Sequence, residues 1–401
     1  MINIGLLGLG TVGQGVVNIL SKKRDELEIV LGDEISIKRI LVRDLEKNRD
    51  VEVEPEILTL NPLFITEDED IDVVVEVTGD VELSYKLIKR AMENGKHVVT
   101  ANKAVVSAYF EELSYLAEKN EVYFLYEASV GGGIPVLKPL KDQIQFNSIN
   151  KVQGILNGTC NFILTKMSDE GLGYDEVLKE AQELGYAEAD PAADVEGLDT
   201  MRKLRILSTL ALGASITEDD IVYSGIDKIT AYDISLLAKK NRRVKLIGEA
   251  VKNENGYSAV VWPKAVSGSS PLKNVDGAFN SVLIEGDISN TLNFYGPGAG
   301  MYPTANAIWT DIIDCVLEKG SKLSPLKNNK IEKDGQVFSR FYLRVSDYKA
   351  QDWLDFSDII DEELENNKDL AIITKKVTLD KIVEKLAELR DDRFALIAYE
   401  D

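Results

Sequence analysis

Ile2-Asn3-Ile4-Gly5-Leu6-Leu7, followed at once by Gly8-Leu9-Gly10-Thr11-Val12-Gly13, is the stretch that decides the fold of this chain. The first six residues read as a short buried strand, and Val16, Val17, Ile19 and Leu20 continue beyond the glycines as the apolar face of a helix. Strand, glycine turn and helix come in the order that a pyrophosphate-binding turn requires. Gly8 permits the tight turn, Gly10 lets a phosphate approach the backbone, and Gly13 lets helix and strand pack closely. Gly8, Gly10, Thr11, Val12 and Gly13 are therefore the first candidate dinucleotide contacts.

Reading outward, Ile35 to Val42 is the second strand, ending in Arg43-Asp44, where such a fold separates a ribose hydroxyl from a 2'-phosphate. An acid there favours NAD and a base favours NADP, so Arg43 tilts the expectation modestly towards NADP. Val73-Val74-Val75-Glu76-Val77 precedes Thr78-Gly79, a helix runs to Asn94-Gly95, His97-Val98-Val99-Thr100 follows, and then come a helix from about Ser107 and a strand from Val122 to Tyr126. Apolar strands alternating with helices predict a mostly parallel, doubly wound α/β sheet. Ligands of such sheets lie beyond the carboxyl ends of the strands, which makes Thr78, Gly79 and Lys103 candidates for the cofactor or substrate side.

The chain has 401 residues, 44% of them hydrophobic, enough for two or three domains with real cores. Its formal charge of -22, from 46 basic and 68 acidic residues, argues against nucleic-acid or anionic-membrane partners, which need a basic face. No apolar run reaches spanning length, and Met1-Ile2-Asn3-Ile4-Gly5 runs straight into structured sequence, so the chain is read as cytoplasmic. Cys160 and Cys315 form no CxxC pair and read as two free thiols; Cys160 as a nucleophile has no histidine near it in any motif. With His97 the only histidine, proton transfer must fall mainly to lysine and carboxylate.

The chemistry is expected in a second domain. Gly185 to Pro191, Asp194, Asp199 and Lys203 gather carboxylates around one ammonium, which suits a substrate bearing its own ammonium group. Leu198, Met201, Leu204 and Leu207 recur every three positions and predict a helix with one buried stripe; Asp199 and Lys203, four apart on its other side, form either an ordinary exposed ion pair or the lining of a cleft with Glu188, Asp190 and Asp194. The acidic run lacks the spacing of a calcium loop. Gly131-Gly132-Gly133 brings bare backbone close to a ligand or ion, or simply joins domains tightly. In Asn157-Gly158-Thr159-Cys160-Asn161 a strand turns into a helix, with Thr159 or Asn161 available as its cap.

Seven motifs in order carry a resemblance: Gly8 to Gly13, Ala101-Asn102-Lys103, Glu127 to Pro135, Gly154 to Thr159, Gly185 to Asp190, Gly197-Leu198-Asp199 and Gly296-Pro297-Gly298-Ala299-Gly300. Over about residues 1 to 325 the chain resembles homoserine dehydrogenase. The resemblance implies reversible NAD(P)-dependent conversion of L-homoserine to L-aspartate 4-semialdehyde, in the branch leading to threonine, methionine and isoleucine. It implies Lys203 as the proton donor or acceptor, Lys103 at the junction of cofactor and substrate, Glu188 on the substrate ammonium, and Asp199 on substrate and Lys203, with Asp194 beside them. It further implies a monovalent cation, usually sodium, at Glu127, Val130, Gly132 and Ile134, a cofactor contact from Gly300, and a homodimer formed through the substrate domain. The expected division is a Rossmann-type dinucleotide domain over 1–130, completed by about 300–325, an α+β substrate and dimerisation domain over 131–299, and a shortened ACT-like α+β domain over 335–401. In that last region Tyr348-Lys349-Ala350 replaces the Pro-Gly turn that presents amides to a regulatory amino acid, while apolar strands and amphipathic helices still alternate, as in Leu370 to Thr374, Leu379 to Leu389 and Phe394 to Tyr399. Two other functions compete: an aldehyde-oxidising relative such as aspartate-semialdehyde dehydrogenase, which needs a cysteine nucleophile, and a dinucleotide sensor, which has no need of the cluster from Glu188 to Lys203.

Overall fold

The computed structural model describes residues 1–320, 322, 331–334, 337–349, 355–387 and 393–401. They form two compact units: residues 1–147, 205–218 and 296–330 make one, and 148–204, 219–295 and 331–401 the other. The expected boundary at 130/131 thus falls inside the first unit. Residues 131–147 pack with it because the Glu127 carboxylate accepts from the backbone N–H groups of Val136, Leu137 and Lys138 at 2.6, 2.7 and 2.7 Å, tying the helix Leu137–Gln143 to what precedes it.

The first unit is built on β1 (Ile2–Leu7), β2 (Ile35–Leu41), β3 (Leu58–Thr59), β4 (Val73–Glu76), β5 (His97–Thr100) and β6 (Phe124–Leu125). They are hydrogen-bonded in the order β3-β2-β1-β4-β5-β6, every pair parallel, so the order reverses between β1 and β4. This is the doubly wound arrangement, and its binding crevice opens where the order reverses, beyond Leu7 and Glu76. Ile4, Leu6, Val73, Val75 and Val99 meet Val16, Leu20, Ile308 and Ile312 in one apolar core. The helix expected from about Ser107 starts at Lys103, because Asn102 Oδ1 accepts from the N–H groups of Ala104 and Val105 and so begins it earlier.

The second unit carries a mixed sheet: β7 (Ile149–Ile155), β8 (Val222–Tyr223), β9 (Arg243–Asn253), β10 (Gly256–Val266), β11 (Phe279–Gly286), β12 (Asn290–Pro297), β13 (Phe338–Val345), β14 (Ile360–Asn366), β15 (Leu370–Thr374), β16 (Val377–Thr378) and β17 (Phe394–Tyr399). Its order is β12-β11-β7-β9-β10-β17-β13-β15-β14, with β8 on β10 and β16 on β13. The C-terminal region is therefore no separate compact unit. Its β17 pairs with β10 through Lys264–Ala398 and Ala265–Tyr399 and extends the sheet of the second unit. Within that region β17, β13, β15 and β14 follow the fourth-first-third-second order of a split βαβ motif. Tyr348 and Lys349 lie in its irregular backbone, while Ala350 lies outside the described residues, as do the last positions of the helix expected over 379–389; the helix is described as Leu379–Leu386. Among the described residues, no helix is long and apolar enough to cross a membrane.

Candidate active site

Beyond β1, Gly8 turns with φ +108, a conformation that disfavours any side chain, and the helix Thr11–Leu31 follows with Gly10 at its N-cap and no side-chain cap. A Cβ on Gly13 would stand 2.3 Å from the Gly8 carbonyl oxygen, whereas nothing lies within 4 Å of one built on Gly10. The turn is thus closed on the strand side and open above Gly10, Thr11 and Val12, where backbone N–H groups lack a side-chain cap. Such a terminus fits a pyrophosphate. Arg43 is exposed just past β2. Gly300, φ +125, begins the helix Met301–Val316, also without a side-chain cap.

Glu76, which no sequence motif singles out, organises the neighbouring strand ends. It is fully buried, and it accepts from Thr78 N at 2.7 Å, Thr78 Oγ1 at 2.8 Å, Ser84 Oγ at 2.7 Å and Thr100 Oγ1 at 2.6 Å. Asn102 donates to Ser84 Oγ at 3.1 Å, so the Thr78-Gly79 turn and the start of the Lys103 helix hang on one carboxylate. Its only signal was an acid ending an otherwise apolar strand. Lys103, half-buried, stands at the first position of that helix. His97 serves the fold, since its Nδ1 accepts from Tyr123 N at 3.2 Å and burial pushes its pKa down.

Glu127, Val130, Gly132 and Ile134 are all buried. The Glu127 carboxylate is occupied by the three amides named above, and Glu127 N donates to Asp311 Oδ2 at 2.9 Å. Gly132, φ +57, leaves no room for a side chain, since a Cβ would come 2.4 Å from the Gly298 carbonyl. Among the described residues the carbonyls of Val130, Gly132 and Ile134 accept no backbone hydrogen bond. Uncommitted buried carbonyls are the donor set that an alkali cation takes.

The helix Leu198–Leu212, whose residues 198–204 belong to the second unit, does not show the single buried stripe that its leucine spacing suggested. Thr200, Lys203 and Arg205 are as buried as Met201, Leu204 and Leu207. The exposed ion pair is excluded: Asp199 and Lys203 are 4% and 9% exposed, and Lys203 Nζ donates to Asp199 Oδ2 at 2.7 Å and to the Leu156 carbonyl at 2.8 Å. Asn157 Nδ2 donates to Asp199 Oδ2 at 2.8 Å and to Asp194 Oδ1 at 2.7 Å, which brings Asp194, Asp199 and Lys203 into one network. Asn157, rather than Thr159 or Asn161, caps the helix Gly158–Glu170, its Oδ1 accepting from Cys160 N at 2.7 Å. Its second role, orienting Asp199, is signalled in the sequence only by an NG turn before a helix. Glu188 and Asp190 do not join this network: both are exposed, Glu188 accepting through its backbone carbonyl from Gln182 and Asp190 from Ala192 N. Cys160 is fully buried, burial pushes its thiol well above the usual range, and its Sγ donates to the Asp194 carbonyl at 3.2 Å, so it is a packed thiol and no nucleophile.

Two family models match, homoserine dehydrogenase over residues 135–313 and homoserine dehydrogenase, NAD binding domain, over 8–127. A homoserine dehydrogenase of Bacillus subtilis is 41% identical over 350 residues, 86% of this chain and 81% of that protein. The crystal structure of a homoserine dehydrogenase from Thiobacillus denitrificans aligns with TM-score 0.90 at 36% identity, over 100% of this chain and 98% of the other. A hyperthermophilic archaeal homoserine dehydrogenase in complex with NADPH aligns with TM-score 0.68 at 27% identity, over 81% of this chain and 99% of the other.

Proposed function

The chain belongs to the homoserine dehydrogenase family, an oxidoreductase that interconverts L-homoserine and L-aspartate 4-semialdehyde with a nicotinamide dinucleotide, and from that premise we propose how its own residues perform the reaction. Lys203 moves the proton. Two of the three donors of its ammonium are held by Asp199 and the Leu156 carbonyl, leaving the third for the oxygen of the substrate. In the reducing direction Lys203 gives its proton to the aldehyde oxygen; in the oxidising direction the amine takes it from the alcohol. Asp199, itself held by Asn157, fixes the direction in which that third donor points. The dinucleotide, bound when present on the open amides of Gly10, Thr11 and Val12, supplies the hydride acceptor or donor.

Glu188, exposed and on the same chain segment as Asp194, is assigned to the substrate ammonium, and Lys103 to the side shared by cofactor and substrate. Arg43 at the exposed end of β2 supports NADP over NAD, in keeping with the NADPH complex of the archaeal neighbour. A monovalent cation, sodium, fits the carbonyls of Val130, Gly132 and Ile134 with Glu127 nearby. We assign dinucleotide binding to residues 1–130 with about 300–325, substrate binding and homodimer formation to 131–299, and an ACT-like role to the C-terminal strands, whose order supports it.

The observation that carries the mechanism is the buried Lys203 with both of its acceptors in place. A Lys203→Met variant is expected to keep its dinucleotide affinity while kcat falls by roughly 10²- to 10⁴-fold. Unchanged turnover would remove Lys203 from the mechanism.

A further inference from the structure

Asn280, the second residue of β11, is fully buried, and its Nδ2 donates to the Leu156 carbonyl at 3.0 Å. The same carbonyl accepts from Lys203 Nζ at 2.8 Å. Because a carbonyl can only accept, this bond dictates which way the amide faces, and it leaves Asn280 Oδ1 buried with no partner among the described residues. A leucine would fill similar space without stranding a polar atom, so packing alone does not account for an asparagine here.

A second, fully buried cation holds the backbone that leads into Asn280. Lys245 Nζ donates to Asn161 Oδ1 at 3.0 Å and to the Val275 carbonyl at 2.5 Å, and Asn161 Nδ2 donates to the carbonyls of Val275 and Phe279 at 2.9 and 3.0 Å. Residues 275–279 are thereby fastened to the helix Gly158–Glu170. The N-cap of that helix, Asn157, orients Asp199. Both acceptors of Lys203 are thus set from one helix, Asp199 through its cap and Leu156 through Asn161 and Asn280.

We propose that Asn280 is a positioning residue for Lys203, acting through the Leu156 carbonyl that the amide and the ammonium share. The proposal rests on the reading of Lys203 as the proton-transfer group. With the amide removed, the carbonyl is free to turn, and Lys203 Nζ, tied to it, leaves its place; a misplacement of about 1 Å costs up to about 10²-fold in rate.

The test compares wild type, Asn280→Leu and Asn280→Ala, which lack the donor, Asn280→Ser, which keeps a shorter one, and Lys203→Met. Each is assayed with L-homoserine and NADP in H2O and D2O, and its melting temperature is recorded. Expected for the donor-less variant that folds is a loss in kcat of roughly 10- to 100-fold with KM for homoserine little changed, a solvent isotope effect larger than in wild type, and partial recovery in Asn280→Ser. Wild-type kcat in a folded donor-less variant overturns the proposal. So does a fall of kcat and melting temperature together with an unchanged isotope effect and no recovery in Asn280→Ser, which marks Asn280 as merely structural. Full turnover in Lys203→Met overturns the reading of Lys203 itself, whereas a dead Lys203→Met beside unaffected Asn280 variants overturns only the positioning role.

Discussion

At the level of single residues, the chain relies on atoms that are absent as much as on those present. The hydrogen on Gly13 stands where a methyl group would sit 2.3 Å from the Gly8 carbonyl oxygen, and that oxygen is backbone, which cannot swing aside as a side chain would. A Gly13→Ala variant must therefore push the helix Thr11–Leu31 off β1, at about 1–3 kcal/mol of strain, and carry its open amides out of line. We expect dinucleotide affinity, measured by quenching or titration calorimetry, to fall at least tenfold while the fold survives. Unaltered affinity would show that the turn has slack that the geometry denies. Gly13 was legible in the sequence because strand, glycines and helix have fixed spacing. Glu76 and Asn157 were not, because each works through partners at distant positions that no local pattern announces.

Among the elements, β9 illustrates a polar contact inside a sheet. Glu249 faces Lys151 of β7 and Lys264 of β10, with Oε2 2.7 and 3.0 Å from their ammonium nitrogens. Burial alone would push its carboxyl up, but the Lys264 and Lys151 ammonium groups outweigh burial and hold it at about 2, below its ordinary 4.5. The folded state therefore binds the proton less readily than the unfolded chain. The stability this group contributes, about 3 kcal/mol, is complete above pH 4.5 and is lost as pH falls towards 2. Chemical denaturation of Glu249→Gln should show lower stability at pH 7 and a shallower loss between about pH 4.5 and pH 3; an acid limb as steep as in wild type would assign the loss to other carboxylates. Element types were well read, Ile2–Leu7, Leu370–Thr374 and Phe394–Tyr399 to the residue. The helix Leu198–Leu212 is not one-sided, because its buried polar face is satisfied by partners such as the Leu156 carbonyl and Glu111, which the leucine period does not reveal.

For the whole molecule, the parallel order of the first sheet followed from alternation of apolar strands and helices, whereas the extent of the second sheet did not. The pairing of β17 with β10 joins residues more than a hundred positions apart, and the buried Arg344 guanidinium grips Asp233 at 2.6 Å across a similar separation. A region that reads as an appended domain is in this way part of the second unit's own framework. The candidate residues were legible as residue types, and each group follows from the topology of its own unit: open amides beyond β1 in the first, and a buried lysine network set from the helix Gly158–Glu170 in the second. The most direct measurement of the activity is the initial rate of nicotinamide reduction by L-homoserine, with NADP and NAD at equal concentration in mildly alkaline buffer containing sodium. Turnover with both is expected, faster with NADP. No reduction of either dinucleotide by a folded preparation that binds them would contradict it.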